Sequence, residues 1–537
     1  MRGRRPRAAT RGGTGSGRHR GPVTKGIGLL ALAGVLAACV PAEPEEQRPG
    51  TGSPSAALDV FYEQELAWED CTDYPTTAGE AGLLALAPEA ECARMEVPLD
   101  YEEPEGELAS VAVMRVPASG DSMGPLLYNP GGPGGSGIVG AALAFAGLAD
   151  SEITERFDLV GFDPRGVGAT QPAVKCYTDE EADQGVVALG SQGTTVQFTE
   201  EDTRAIMERC AEGSGGAEVL PHLGTRDTAR DMDVLRAALG EDQMTYFGQS
   251  YGTRLGAVYA EQFPDRVRAM VLDGAMSPLE GSFERRVNAY AGFQAAFDEM
   301  TAACGAEADC PLGSDPGQAT ERFQEIVRPL LDEPVPALES ELDFDGAVGG
   351  VIAGLYSPVS WPRIIEGIAE VEEGHGDGLM QLIYDFGLRG PDGAWPNSLE
   401  ANHAINCMDE ERLTPEQGGE LRAATYEQAP FMDPGVDVTE GARDGCEHWP
   451  AEPELGFPYA EDVEGLPETL VVSITGDPTT PHGGAIELAE TLGGALLTVE
   501  GEGHGIVSLG SNECVDETAA AYLIDLEVPE EGTTCSL

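Results

Sequence analysis

The sequence predicts an α/β fold: a mostly parallel central sheet with helices on both faces, interrupted by a large helical insertion. Three observations carry this reading. Short apolar runs recur, each ending in a Gly-rich or polar turn. They are residues 125–128 (PLLY) before NPGGPGGSG, 157–162 (FDLVGF) before DPRGVGAT and 244–247 (MTYF) before GQSYGT. Three more follow: 267–272 (VRAMVL) before DGA, 469–475 (TLVVSIT) before GDPTTPH and 495–499 (ALLTV) before EGEGHG. Continuous apolar runs of this length suit strands buried on both faces. Helical patterns lie between them, at 227–239 and 254–262, and strand–helix alternation argues a parallel sheet. The alternation then stops. Residues 278–450 read as helices (283–300, 320–331, 361–371 and 415–428) with no strand of the same kind, and the pattern resumes near Leu466. A helical lid inserted between two halves of one sheet is the simplest account. No internal repeat of 20–50 residues is present.

With 537 residues and 41% hydrophobic content, the chain has the material for a large core. Its charge is unusual: 94 acidic against 31 basic residues, a formal net of −63. The first 38 residues hold eight of the basic side chains and no acidic one, and beyond them the sole lysine is Lys175. Such a surface repels phosphate backbones, so a nucleic-acid partner is not expected. Solubility in salt, which screens self-repulsion, accounts for the charge. An acidic patch for a cationic substrate is the functional alternative.

Residues 1–25 are basic, and 26–38 form an apolar run, GIGLLALAGVLAA, too short to span a bilayer comfortably. Basic head, short apolar stretch and small residues match a secretory signal. The run ends Leu36-Ala37-Ala38-Cys39, which resembles the lipobox of bacterial lipoproteins, in which the cysteine is acylated. Cys39 is therefore the expected lipid anchor, on the outer face of the cell membrane, and the acidic stretch to 58 its tether. Removing Cys39 leaves ten cysteines, an even number in a chain that reads as exported, which suggests disulfides. Neighbour order pairs Cys71 with Cys92, Cys176 with Cys210, Cys304 with Cys310, Cys407 with Cys446 and Cys514 with Cys535. Ten cysteines allow many other connectivities. No C-x-x-C or H-x-x-x-H pair occurs, so no metal is expected.

The chemistry is read from Gly248-Gln249-Ser250-Tyr251-Gly252, a G-x-S-x-G match. Alone the motif is weak, but it follows a strand candidate and opens a helix candidate. That is the setting of a nucleophile elbow, in which a sharp turn presents the serine Oγ above the sheet. A second oxyanion donor belongs in the loop after an earlier strand. The glycines of Asn129-Pro130-Gly131-Gly132-Pro133-Gly134-Gly135 let a backbone N–H approach a substrate there, with Gly132 favoured and Gly131 next. The acid and base are expected after the serine, each at the end of a later strand: Asp477 and then His504. His482 is the rival base, but it shares a loop with Asp477. Asp273 is the rival acid, with packing as its more ordinary role. Thr480 is placed to bond within the Asp477 turn.

Together these segments, with WEDC, ECARMEVPLDY and AINCMDE, resemble the tripeptidyl aminopeptidase-like α/β hydrolases of actinobacteria, relatives of the prolyl aminopeptidases. The resemblance runs over about residues 60–537. It implies an α/β-hydrolase fold, Ser250, Asp477 and His504 as the triad, and Tyr251 with the 131–132 loop as the oxyanion hole. It also implies release of short peptides from free N-termini, or ester hydrolysis, without a cofactor. Pro130 stands where the HGGPG of prolyl enzymes has His, so strict proline specificity is not expected. An exopeptidase needs a carboxylate for the substrate amine, and Asp409 is the candidate. The chain divides as a signal (1–38), lipidated cysteine and tether (39–58), hydrolase core (59–277), lid (278–450) and core (451–537). A monomer acting on a peptide or small ester is expected.

Overall fold

The computed structural model describes residues 57–149, 151–184, 195–307 and 309–537. The signal, Cys39 and most of the tether lie outside the described residues. Ten strands form one sheet. In chain order its first seven are β1 (Glu69–Asp70), β2 (Glu91–Pro98), β3 (Leu108–Val116), β4 (Pro125–Asn129), β5 (Asp158–Phe162), β6 (Met244–Gln249) and β7 (Val267–Asp273). A separate hairpin follows, β8 (Val335–Ala337) with β9 (Ser340–Leu342), and the sheet ends with β10 (Leu470–Gly476), β11 (Ala495–Glu502) and β12 (Thr534–Ser536). The spatial order is β1-β2-β3-β5-β4-β6-β7-β10-β11-β12. From β5 to β12 all neighbours are parallel, while β1, β2 and β3 form an antiparallel edge joined antiparallel to β5.

Each of the six apolar runs is a strand of the parallel part. Adjacent residues feed opposite faces: Tyr246 packs in one core, Phe247 and Tyr128 in the other. Burial on both faces is why these strands read as unbroken apolar runs. The antiparallel edge was not signalled that way, because β2 mixes Glu91, Arg94 and Glu96 with buried Met95 and Val97.

Between β7 and β10 the chain is mainly helical. The four expected helices appear as Ser282–Gly305, Pro316–Val327, Trp361–Glu373 and Pro415–Gln428. Three more, Phe344–Leu355, Asp377–Phe386 and Ser398–Asp409, and the β8–β9 hairpin join them. Phe344–Leu355 carries four glycines, which lower helix propensity. They serve packing instead: a Cβ on Gly350 would stand 2.6 Å from the Leu379 carbonyl oxygen, and one on Gly354 would stand 2.5 Å from Ile364 Cγ1. This segment has its own core, with Phe297 stacked on Phe431 at 4.9 Å between ring centres. Five disulfides join the same cysteines that neighbour order pairs: Cys71–Cys92, Cys176–Cys210, Cys304–Cys310, Cys407–Cys446 and Cys514–Cys535.

The DPRG turn after β5 is held from inside. Arg165 is fully buried and donates Nε to Asp231 Oδ2 at 2.6 Å and Nη2 to Asp231 Oδ1 at 2.8 Å. It also donates to the carbonyls of Leu99 at 2.6 Å and Pro98 at 2.7 Å. Arg165→Ala leaves the Asp231 charge buried without its partner. It is expected to lower the unfolding free energy by about 3–5 kcal/mol. Denaturant titration measures this, and a loss below about 1 kcal/mol would contradict the reading.

Candidate active site

Four neighbouring strands of the parallel sheet deliver the site: Ser250 directly follows β6, Gly274 follows β7, Asp477 follows β10, and His504 comes two residues after the end of β11. Ser250 lies between β6 and the helix Tyr251–Gln262, with φ 57° and ψ −123°. For a non-glycine residue that is a strained backbone, on the order of 1–3 kcal/mol. It is held by packing. A Cβ on Gly248 would stand 2.3 Å from the Gly252 carbonyl oxygen, and one on Gly252 would stand 2.7 Å from that of Asn129. The Ser250 N–H donates to the Asp273 carbonyl at 2.8 Å, and Thr253 Oγ1 donates to the Ser250 carbonyl at 2.6 Å.

The loop after β4 lies against this turn. Gly131 has φ 95°, and a Cβ there would stand 2.8 Å from Ser250 Cβ and 3.0 Å from Tyr251 N. The Gly131 N–H itself donates to Asn129 Oδ1 at 3.0 Å. Gly132 lines the cavity together with Ser250.

His504 Nδ1 lies 2.8 Å from Asp477 Oδ2 and 3.0 Å from Oδ1. Asp477 is fixed in turn by the backbone N–H groups of Thr479 at 3.0 Å and Thr480 at 2.8 Å. Thr480 Oγ1 lies 3.2 Å from His504 Nδ1, so this hydroxyl joins the pair. The imidazole N–H is assigned to Nδ1 because a carboxylate faces it, which leaves Nε2 as the acceptor. No hydrogen bond joins Nε2 to Ser250 Oγ in this structure; such contacts often close only with substrate bound. Burial opposes protonation of His504, but the Asp477 charge and hydrogen bond, with the Asp273 charge, outweigh it and hold its pKa above 6.5.

The rivals have other partners. His482 Nδ1 lies 3.0 Å from Ser473 Oγ, and burial pushes its pKa down. Asp273 Oδ2 accepts from the N–H groups of Ile506 at 2.7 Å and Val507 at 2.9 Å, so it anchors the loop just past His504. The expectation for Asp409 is corrected. Its carboxylate is buried, does not line the cavity, and accepts from Thr225 N–H at 2.9 Å and from Thr225 Oγ1. Thr225 Oγ1 also meets the Tyr251 hydroxyl, so Asp409 braces the elbow helix from behind. Sequence reasoning missed Tyr356, whose carbonyl accepts from His504 N–H at 3.0 Å and whose ring meets the imidazole edge-on at 5.5 Å. It sits in the inserted segment, where no local motif signals contact with His504.

A cavity of about 770 Å³ opens beside Ser250. The core contributes Gly132 and Thr480 to its walls, and the inserted segment contributes Tyr290, Phe293, Ile352 and Tyr356. Among the described residues, metal-binding side chains converge once, at His403, Cys407 and Cys446, where the two sulfurs are joined to each other.

Residues 124–364 match the family model for the alpha/beta hydrolase fold, and 433–535 match that for TAP-like proteins. The chain is 38% identical over 522 residues to the serine protease Hip1 of Mycobacterium tuberculosis, covering 94% of this chain and 96% of that one. The chain belongs to the tripeptidyl aminopeptidase-like family of α/β hydrolases. Within it, carboxylesterase B of M. tuberculosis is 37% identical over 519 residues, covering 95% and 97% of the two chains. Tripeptidyl aminopeptidase of Streptomyces lividans is 28% identical over 495 residues, covering 88% and 86%.

With Asp477 raising the pKa of His504, the acid limb of kcat/KM is expected above pH 6.5, since the base must be neutral to act. Asp477→Asn removes the charge. The limb then shifts to lower pH, and kcat falls by about 10⁴-fold if the triad arithmetic of serine proteases transfers. A pH–rate profile on an activated ester reads both, and an unmoved limb would contradict the pairing.

Proposed function

We propose that this chain is an exported serine exopeptidase that releases short peptides, tripeptides among them, from free N-termini through an acyl-enzyme. Ser250 attacks the scissile carbonyl, and His504 Nε2 takes its proton and then passes it to the leaving amine. Asp477 holds the imidazole orientation and stabilises its charged form. The N–H groups of Tyr251 and Gly132 receive the tetrahedral oxyanion, the first reinforced by the N-terminal end of the helix Tyr251–Gln262. No cofactor enters the reaction.

The observation that carries this reading is the cavity. Its walls come from the core on one side and from residues of 278–450 on the other, so that segment acts as a lid. A covered site of limited volume favours chain ends over internal bonds. The relatives named serine protease and tripeptidyl aminopeptidase support peptides as substrates. The relative named carboxylesterase B keeps small or envelope esters as the second reading, since the same triad serves both. Export with an acylated Cys39 would place the enzyme on the outer membrane face, in keeping with five disulfides.

The test uses the soluble chain starting after Cys39. Turnover of a tripeptide chromogenic amide and of a short acyl ester is compared for the wild type and Ser250→Ala. Amide turnover, lost by at least 10³-fold in Ser250→Ala, is expected. Turnover of the ester alone would replace the peptidase with the esterase.

A further inference from the structure

Apart from Asp444, whose carboxylate accepts from the N–H groups of Leu413 at 3.0 Å and Cys446 at 2.9 Å, the Arg and Glu side chains lining the cavity fall into two sets. Arg285 and Arg286 belong to the first, and their counter-charge is internal. Both donate to the buried Glu410, Arg286 Nη2 at 3.0 Å, while Arg254 Nη1 lies 3.4 Å away and Ser282 Oγ donates at 3.0 Å. Glu280 and Glu487 form the second set. Both line the same cavity as Ser250, and neither has a Lys, Arg or His nitrogen within 4.0 Å among the described residues. Their hydrogen-bond partners are neutral: Asn288 Nδ2 donates to Glu280 Oε1 at 2.5 Å, and Ser277 Oγ donates to Glu487 Oε2.

Ser277 ties the two acids together. Its Oγ accepts from the N–H of Leu279 at 3.1 Å and of Glu280 at 3.2 Å, so the turn carrying one carboxylate is hydrogen-bonded to the other. Burial and the nearby Glu487 charge push the Glu280 carboxyl up, opposed by the Asn288 bond and, from beyond ion-pair distance, Arg285. Two like charges facing a substrate cavity with no cation at ion-pair distance from either are an unfavourable arrangement until a cation arrives.

We propose that Glu280 and Glu487 are the specificity-determining pair that receives a primary ammonium group of the substrate. That group is either the α-ammonium of a free N-terminus or the ε-ammonium of a lysine side chain. An ammonium carries three donors. Among the described residues Glu280 Oε2 and Glu487 Oε1 have no hydrogen-bond partner, and Asn288, which lines the cavity with its amide nitrogen committed to Glu280, offers its carbonyl oxygen. The inference deepens the peptidase reading and rests on it for the identity of the substrate.

The test compares three tripeptide amides: one with a free N-terminus, its N-acetylated twin, and an N-acetylated tripeptide containing lysine. Wild type is expected to favour one ammonium substrate over the neutral twin by at least tenfold in kcat/KM. Glu280→Gln/Glu487→Gln is expected to collapse that ratio to about twofold, which a merely structural defect would not do because all substrates would suffer alike. Glu280→Lys should invert the preference toward a succinyl-capped tripeptide. Preference for the free N-terminus alone assigns the α-ammonium; preference for lysine alone assigns the side chain. The tripeptide acids are also titrated by calorimetry into Ser250→Ala, where no turnover is needed. Ammonium-selective binding without hydrolysis by the wild type upholds the subsite and overturns the peptidase. Equal binding and turnover of all three, or a ratio unmoved by the double substitution, overturns the inference.

Discussion

The site depends on one backbone constraint: Ser250 is held at φ 57° in a turn with no room for side chains on either flanking glycine. The strain is local, but what resists it is not. The Asp273 carbonyl of the next strand receives the serine N–H, and Thr253 receives the Met276 N–H while donating to the Ser250 carbonyl. The same β7 end then anchors the loop after His504 through the Asp273 carboxylate. One strand end thus positions both Ser250 and the loop that carries His504. Relaxing the turn would move Oγ, the Tyr251 N–H and the Gly131–Gly132 loop together.

Charge shows a second economy. Past the basic N-terminus, arginine is almost the only cation in the chain, and several arginines are placed inside. Arg254 comes from the elbow helix, Arg285 and Arg286 from the first helix of the inserted segment, and all three converge on Glu410. A planar guanidinium that keeps its charge when buried suits this task better than lysine. The network fastens the inserted segment to the helix that begins after Ser250. Asp409, the next residue back, braces Tyr251 through Thr225. These acids are structural ties, whereas Glu280 and Glu487, which line the cavity, have only neutral hydrogen-bond partners among the described residues.

How much of this was legible in the sequence follows from where the signals are local. The parallel strands were legible because burial on both faces makes them continuous apolar runs. The turn at Ser250 and the segments that bring Asp477 and His504 together were legible because each closes such a run with distinctive turn residues. The antiparallel edge was obscure because β2 and β3 pack unevenly, and the helix Phe344–Leu355 because glycines needed for close approach disguise it. Asp409 looked like an amine receptor because a carboxylate beside a cysteine says nothing of its direction. Its partner Thr225 lies 184 residues away. Tyr356, Glu280 and Glu487 reach the cavity by tertiary packing, for which no spacing rule exists.

The account's central claim is that Ser250 is the nucleophile of this triad, and covalent capture tests it most directly. The soluble chain is treated with a fluorophosphonate, digested and analysed by mass spectrometry. The account predicts a single phosphonylated peptide carrying Ser250, absent in Ser250→Ala and slowed in His504→Ala. Phosphonylation at another serine, or none under conditions where a known serine hydrolase is fully labelled, would contradict it.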